Sequence, residues 1–280
     1  MTTIAKYASG VYHGIPDNVY HSQKWAVSSS FLKTMFTDNP HVARYWDTHT
    51  REDTAAFQFG RAFHTVMTGV GQQPVLKLDG RTKEGKEQKA LADAGEVLLV
   101  SEKDMEVLDA MKANLEAHPV AAGLLASSQP EVSMFWQDEA TGVWCRIRPD
   151  LMDIERHIVT DLKSVGGMAG AGHNAFAKST ANLAYDIQAA FYRRGYREIF
   201  GVTPAFLFAA VEKSEPYQVG IYELDDRTID RAEAVVEDLL SDYALYSTFN
   251  EWPGIPADIQ PLSLPGWADH AREEYLDEAR

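Results

Sequence analysis

The sequence contains one cysteine, a deficit of basic residues and no long apolar run, and each shortage excludes a class of protein. Cys145 alone cannot form an internal disulfide or a multi-cysteine zinc or iron–sulfur site, and this cysteine usage is typical of a reducing compartment. The longest apolar run, residues 205–211, is far shorter than the ~20 residues of a membrane-spanning helix. Residues 1–10 lack a signal-peptide pattern. We therefore expect a cytoplasmic protein with no membrane contact.

The acidic charge is unevenly distributed along the 280 residues. The net charge of -15 argues against uniform affinity for nucleic acids, because phosphate binding depends on Lys and Arg. Residues 212–280 contain 17 acidic and 5 basic residues, whereas residues 141–197 contain 8 basic and 5 acidic ones. Because the central region is basic, the acidic total charge does not exclude binding of a polyanionic ligand.

Apolar residues at helical spacing dominate the first part of the chain. They predict a short helix at residues 31–36, a helix that begins at Asp53-Thr54 and ends at Gly69, and a helix from the Ser101 capping box to Ala117. The length favours one domain with appendages. We expect a single domain over residues 1–250, with a helical part at 1–125, a core at 126–225, and a proline-punctuated acidic tail at 251–280.

The apolar period changes from helical to alternating after residue 130. Three β-rich runs predict a three-stranded meander at residues 131–137, 143–149 and 157–163. A glycine-rich loop, a long helix, two strands and an amphipathic helix are predicted at 164–172, 183–200, 204–211, 217–224 and 226–249. This order predicts an α/β (α+β) fold, with a central mixed sheet flanked by helices.

Two carboxylates and a lysine lie at the ends of neighbouring predicted strands. Asp150 ends one strand, and Asp161-Leu162-Lys163 lies on the next, with Asp161 and Lys163 on the same face. Such a cluster suits a hard cation such as Mg²⁺, with a lysine that orients a water and offsets phosphate charge. The residues therefore favour phosphodiester cleavage. The alternative is a chance Asp-x-Lys triplet that is solvated at a strand end.

The order of these motifs resembles the PD-(D/E)xK nucleases, and within them the exodeoxyribonuclease VIII (RecE-type) branch related to RecB-like and phage lambda-type exonucleases. Gly60 to His64 resembles the helix that carries the family's histidine, and Gln188 and Tyr192 resemble its QxxxY helix. The resemblance covers most of residues 10–225 and includes these further segments: Tyr20-His21, residues 28–33 and residues 81–86.

The resemblance implies a restriction-endonuclease-like core with a defined role for each site residue. Asp150, Asp161 and the Leu162 carbonyl would hold Mg²⁺, or Mn²⁺ as a substitute, and Lys163 would position the attacking water. His64 would serve a second metal, and the remaining residues would complete the water network and contact the scissile region or the Lys163 environment: Glu131, Gln188 and Tyr192.

The resemblance also implies the substrate and the partners. The expected activity is exonucleolytic degradation of linear double-stranded DNA, 5'→3', leaving 3' single-stranded tails for recombination by strand annealing. The expected setting is the cytoplasm of a bacterium or a phage-infected bacterium, in a phage or prophage context. A ring-shaped homo-oligomer and a single-strand annealing protein are the expected partners.

Two groups of basic residues are candidates for DNA-backbone contacts. The first is Arg81, Lys83, Lys86 and Lys89, and the second is Arg193, Arg194 and Arg197. Each group is equally typical of a solvated charged face. We expect Arg146 and Arg148, which lie along the second strand of the meander, to pair with the site carboxylates.

Three other functions remain open at this stage. An endonuclease on the same core, or a domain that binds DNA or protein without cleaving it, would share these motifs. Gly170-x-Gly172-x-x-Ala175 weakly matches a dinucleotide-binding fingerprint. That match is poor because the glycines lie well beyond the strand end, and a nicotinamide or flavin oxidoreductase is therefore a remote alternative.

Overall fold

The protein is represented by a computed structural model that describes residues 7–49, 54–166 and 170–278. The helices are α1 Asp17–His21, α2 Ser29–Thr37, α3 Pro40–Thr48, α4 Ala55–Thr68, α5 Lys83–Asp93, α6 Glu102–Ala117, α7 Pro119–Ser127, α8 His173–Asn182, α9 Tyr185–Phe200, α10 Asp226–Phe249 and α11 Gly266–Glu278. The strands are β1 Gly10–Tyr12, β2 Val27–Ser28, β3 Gln73–Leu76, β4 Val97–Val100, β5 Gln129–Pro130, β6 Ser133–Gln137, β7 Trp144–Ile147, β8 Leu151–Asp153, β9 Ile158–Val165, β10 Ala205–Glu212 and β11 Val219–Glu223.

Local capping chemistry explains where the predicted helices begin and end. The Thr54 hydroxyl accepts a hydrogen bond from the Phe57 amide at 3.3 Å, and Gly69 ends α4 in the left-handed region with φ 73°. Ser101 caps α6 in the same way, through the Asp104 amide at 3.1 Å. These predictions are confirmed, except that Asp53 lies outside the described residues. Phe63 of α4 is fully buried, and the next residue, His64, is half-buried.

A five-stranded mixed sheet separates two hydrophobic cores. Its strand order is β11-β10-β9-β8-β5, and β9 and β10 are parallel while the other pairs are antiparallel. Val159 of β9 packs in a core with α9 and α10, and Leu162 packs in a second core with α4 and α6. Alternate residues of β9 therefore face different helical layers. The predicted mixed sheet flanked by helices is confirmed.

The predicted three-stranded meander is wrong, because its strands belong to two sheets. β6 and β7 lie in a four-stranded sheet of order β1-β6-β7-β2, whereas β9 pairs with β8, which the sequence pattern did not reveal. β7 ends at Ile147, before Pro149. A proline cannot donate to a strand ladder, and the three-residue β8 is too short to show a period.

Helices α5 and α8 are among the helices that the sequence pattern did not predict. Helix α5 begins at Lys83, directly after the Thr82 cap. The helical pattern is weak there because Gly85 is the only buried residue of α5. Part of the predicted loop at 164–172 is described, and α8 follows it directly. Within the described ranges, none of the helices combines the length and apolar content required to cross a membrane.

The arginines of α9 attach this helix to its acidic neighbours. Arg194 Nε lies 2.6 Å from the buried Asp138, while Arg193 and Arg197 lie 3.3 and 3.7 Å from Glu233 of α10. These ion pairs give the three guanidinium groups a structural role that does not require DNA. Their contact with a DNA backbone stays a prediction.

Replacing Arg194 with alanine is expected to lower the free energy of unfolding by about 3 kcal/mol, because it leaves the Asp138 carboxylate buried without its cation. Arg197→Ala, at the more exposed ion pair, is expected to change it by less than about 1 kcal/mol. Urea unfolding of both variants measures the difference. Equal stability with a selective loss of DNA affinity would instead favour the DNA-contact role for Arg194.

Candidate active site

The register between β8 and β9 brings the two central aspartates together. Leu151 is opposite Thr160 in this antiparallel pair, so the next position outward places Asp150 opposite Asp161. The Leu162 amide donates a 2.6 Å hydrogen bond to Asp150 Oδ2. Asp150 therefore lies in the connection between the two sheets, and β9 holds its carboxylate in place.

Asp161, Lys163 and Gln188 form a closed polar triangle on the α9 side of the sheet. Lys163 Nζ lies 2.5 Å from Asp161 Oδ2 and donates to Gln188 Oε1 at 3.3 Å. Gln188 Nε2 donates to Asp161 Oδ1 at 2.6 Å. Each side chain therefore fixes the rotamers of the other two. Both oxygens of Asp161 are engaged within this triangle.

Burial and neighbouring charge shift the pKa values of Asp161 and Lys163 in opposite directions. Burial raises the pKa of Asp161, and the nearby Lys163 offsets only part of that change. Burial alone would lower the pKa of Lys163, but the charges of Asp161 and Asp150 outweigh it and raise this pKa above its usual value. Lys163 therefore carries a full positive charge at neutral pH and acts as a hydrogen-bond donor.

A second cluster lies on the other side of Asp150. His64 Nδ1 is 3.1 Å from Asp150 Oδ1, and ligand atoms of His64, Glu131 and Asp150 all lie within 4.8 Å of one another. Glu131 belongs to the short turn between β5 and β6, where it adopts a left-handed conformation with φ 53°. Its amide donates to the Asp150 carbonyl at 3.1 Å. Helix α4, this turn and the sheet thus each contribute one potential ligand.

The charges of this cluster fit a divalent cation. Burial, and then the charge of Asp150, raise the pKa of Glu131 to about 8. Burial would also raise the pKa of Asp150, but His64, Lys163 and the Leu162 amide together outweigh it and hold this pKa below its usual value. A bound cation would relieve the repulsion between the two carboxylates. One imidazole nitrogen and two carboxylates are a donor set that divalent metals accept.

The structure thus divides the predicted metal ligands into two groups. It brings His64, Glu131 and Asp150 together, while Asp161 is turned toward Lys163 and Gln188. Leu162 contributes its amide to Asp150. Coordination by Asp161 and by the Leu162 carbonyl stays a prediction.

Glu131 makes the stability of the metal-free protein pH-dependent. Because its pKa is raised to about 8 in the folded chain, the folded state holds one proton more than the unfolded state between about pH 4.5 and pH 8. The free energy of unfolding is therefore expected to fall as pH rises through this window. Urea unfolding in EDTA should show Glu131→Gln losing about 4 kcal/mol less than wild type between pH 5 and pH 9, since one pKa unit corresponds to about 1.4 kcal/mol. Parallel pH profiles for both proteins would contradict this.

Tyr192 lies one helical turn after Gln188 and supports the backbone before Asp150. Its buried hydroxyl donates to the Arg148 carbonyl at 3.2 Å. Gln188 contacts Lys163, while contact of Gln188 or Tyr192 with the scissile region stays a prediction. Tyr192 instead positions the connection from which the Asp150 carboxylate projects.

The expected pairing of Arg146 and Arg148 with the site carboxylates is wrong. Both guanidinium groups stack on the Tyr20 ring, at 4.9 and 4.0 Å from its centroid. Arg148 also donates to Ser133 Oγ and to the Ile15 carbonyl, each at 2.9 Å. Side chains alternate along β7, but the sequence alone could not show that α1 covers this strand.

The basic residues around α5 are exposed and mostly paired locally. Arg81 lies 2.7 Å from Asp79, and two lysines of α5 lie near acidic residues one turn away, at 3.7 Å for Lys83 and 2.7 Å for Lys89. Lys86 is exposed on the same helix. Exposed pairs of this kind contribute little stability and can exchange partners. Contact of this segment with DNA stays a prediction.

Two residues beside the site were missed as functional candidates. Lys33 and Tyr185 lie next to Lys163, whose Nζ is 4.5 Å from the Tyr185 ring centroid. Tyr185 precedes Gln188 by three residues and therefore shares its helical face. That spacing was the available signal, whereas nothing in the sequence indicated that α2 packs against α9.

A mixed sheet that aligns Asp150 with an Asp-x-Lys strand, supported by a glutamine from the following helix, defines a PD-(D/E)xK-type domain. Residues 28–260 match the family described as a PDDEXK-like domain of unknown function (DUF3799), and the chain belongs to this family. The predicted superfamily is therefore confirmed. The dinucleotide-binding alternative receives no support.

One solved structure agrees with this assignment at the level of the fold, and a second similar structure is given with it. A protein named "putative exonuclease" from Eubacterium rectale is 17% identical, with a TM-score of 0.61 over 91% of this chain and 96% of that one. A phage-related exonuclease from Haemophilus somnus 129PT is 13% identical, with a TM-score of 0.35 over 67% and 95% of the two chains. None of the curated proteins compared with the chain matches it.

Proposed function

We propose that this protein is a Mg²⁺-dependent exodeoxyribonuclease that degrades linear double-stranded DNA, 5'→3', and leaves 3' single-stranded tails for strand annealing. The observation that carries the proposal is the Asp161–Lys163–Gln188 triangle beside the cluster of His64, Glu131 and Asp150. The triangle fixes a charged donor next to a potential cation site. A charged donor and a metal ion can both stabilise the charge that develops in phosphodiester hydrolysis.

The side chains of the chain have separate tasks in this reaction. A divalent cation held by His64, Glu131 and Asp150 would supply positive charge against the scissile phosphate and acidify a water. The Lys163 ammonium donates to the attacking water or to a phosphate oxygen. Asp161 and Gln188 hold the Lys163 side chain in one rotamer. Little conformational entropy is therefore lost when the ammonium group is oriented for the reaction.

Preference for DNA ends and a cellular role are further parts of the proposal. The Eubacterium rectale and Haemophilus somnus proteins both carry exonuclease in their names, and the motif order resembles the RecE-type branch. We extend this to a ring-shaped homo-oligomer that encloses DNA and acts with a single-strand annealing protein in a bacterial or phage-infected cytoplasm. The basic residues of α5 are the proposed backbone contacts.

The alternatives are an endonuclease on the same core and a domain that binds DNA without cleaving it. The presence of all three residues of the triangle favours catalysis over binding alone, because a binding domain needs no fixed lysine beside a cation site. An endonuclease would share the site completely. The two nucleases differ in whether a closed circle is a substrate.

The test uses linear duplex DNA labelled at one 5' or one 3' end, with a closed circle as the control, in Mg²⁺ and in EDTA. We expect label release from 5' ends of linear DNA, none from the circle, and no release in EDTA. Cleavage of the circle would replace the exonuclease with an endonuclease. Failure to cleave any substrate, with tight binding to duplex DNA, would indicate a binding domain.

A further inference from the structure

Lys33 projects from α2 toward the same side of the sheet as Lys163. Helix α2 buries Ser29, Leu32 and Met35 and packs against α9. Lys33 lies four residues after Ser29, so the two share a helical face, and the Ser29 side chain interacts with Tyr192 of α9. This face of α2 therefore directs the Lys33 side chain to the beginning of α9.

The ammonium groups of Lys33 and Lys163 are placed around a single aromatic ring. Lys33 Nζ lies 5.1 Å and Lys163 Nζ 4.5 Å from the Tyr185 ring centroid. Because both distances end at the same centroid, the two ammonium groups are at most about 10 Å apart. Tyr185 opens α9 directly after Ala184, a buried residue in the left-handed region with φ 49°. The ring is therefore held at a fixed junction.

Lys33 and Lys163 differ in how closely a carboxylate approaches their ammonium groups. Lys163 is paired with Asp161 at 2.5 Å, whereas no acidic group in the described ranges forms an ion pair with Lys33 within 4.0 Å. Burial, and then repulsion by Lys163, lower the pKa of Lys33 to about 8. The charges of Asp161 and Asp186 offset this change only in part, so burial of the Lys33 ammonium beside the Tyr185 ring carries a free-energy cost in the folded chain. An incoming anion would remove that penalty.

We propose that Lys33 and Tyr185 form a second phosphate-binding subsite, which holds a phosphate adjacent to the scissile one on the cleaved strand. This assignment rests on the proposed nuclease function. Lys163 serves the reacting phosphate, and Lys33 the neighbouring one. A separation of at most about 10 Å suits nearby phosphates of one strand, whose rise along the duplex axis is ~3.4 Å per nucleotide. Lys33 thus positions the substrate strand.

The test measures binding of a short labelled duplex in Mg²⁺ at several salt concentrations, with every variant in an Asp161→Asn background to suppress cleavage. Lys33→Ala is expected to weaken binding on the order of tenfold at low salt and to reduce the slope of log Kd against log salt by about one. Lys33→Arg, which keeps the charge, is expected to retain the slope. Lys112→Ala is the control, since Lys112 is already paired with Glu116 at 3.9 Å on α6.

The DNA-free protein provides a second readout. Lys33→Met removes the unpaired charge but keeps an apolar side chain of similar length, so it is expected to raise the melting temperature. Tight binding with an unchanged salt slope in Lys33→Ala would overturn the subsite and leave the nuclease proposal intact. Absence of duplex binding in all variants, including the Asp161→Asn parent, would overturn both. A lower melting temperature for Lys33→Met would also contradict the assignment.

Discussion

Lys163→Ala is expected to lower kcat for cleavage of linear duplex DNA by about 10³-fold or more at saturating DNA. The variant removes the charged donor that Asp161 and Gln188 hold in place, and a preorganised donor of this kind contributes about 10²–10³-fold. Loss of the fixed water position adds to that effect. Single-turnover rates with end-labelled DNA in Mg²⁺ measure the change.

The control for this variant is Lys112→Ala, which removes the same charge from the α6 surface and is expected to keep the wild-type kcat. Circular dichroism and thermal melting establish that Lys163→Ala is folded. Lys163→Ala leaves Asp161 hydrogen-bonded to Gln188 at 2.6 Å, so its carboxylate keeps one partner. Near-wild-type cleavage by the folded variant would exclude Lys163 from the reaction.

Asp150→Asn is expected to weaken divalent metal binding on the order of 10²-fold and to lower the cleavage rate at least as much. Asp150 lies in both parts of the site, because one carboxylate oxygen faces His64 at 3.1 Å and the other accepts from the Leu162 amide at 2.6 Å. An amide retains the shape but supplies no negative charge to a cation. Calorimetric titration of the metal-free protein with Mn²⁺ or Mg²⁺, alongside the cleavage rate, measures both effects.

Asp153→Asn is the matched control for Asp150→Asn. Asp153 is also a buried aspartate of the β8 region, but its carboxylate bonds to the Arg156 side chain at 3.1 Å. We expect this variant to bind metal and cleave DNA as wild type does, with some loss of stability. Unchanged metal affinity in Asp150→Asn would show that the cation is held elsewhere, and Asp161 would then be the next residue to test.

The sequence was most informative where local chemistry determines structure. The caps at Thr54 and Ser101 and the stop at Gly69 are local hydrogen-bonding and backbone preferences, so they could be predicted from neighbouring residues. The alternation of Asp161 and Lys163 on β9 is equally local. These patterns were sufficient to predict the mixed sheet and to single out the residues around which the site is built.

Long-range packing accounts for the features that the sequence did not reveal. The pairing of β9 with the short β8, rather than β7, depends on the break at Pro149 and on the register between distant residues. The stacking of Arg148 on Tyr20 requires α1 to fold over β7. Likewise, Lys33 gains its significance only once α2 packs beside α9. These contacts join segments that are distant in the chain, so no periodic pattern in the sequence indicates them.

The parallel pairing of β9 with β10 has a consequence for the order in which the protein is made. Parallel strands need a crossover, here α8 and α9, so β9 cannot acquire this neighbour until the ribosome has released residues 205–212. Pairings between distant segments also form slowly. A nascent chain that already contains His64 and Asp150 still lacks Gln188 and the closed sheet. The complete centre is therefore expected only after residues 205–212 have left the ribosome.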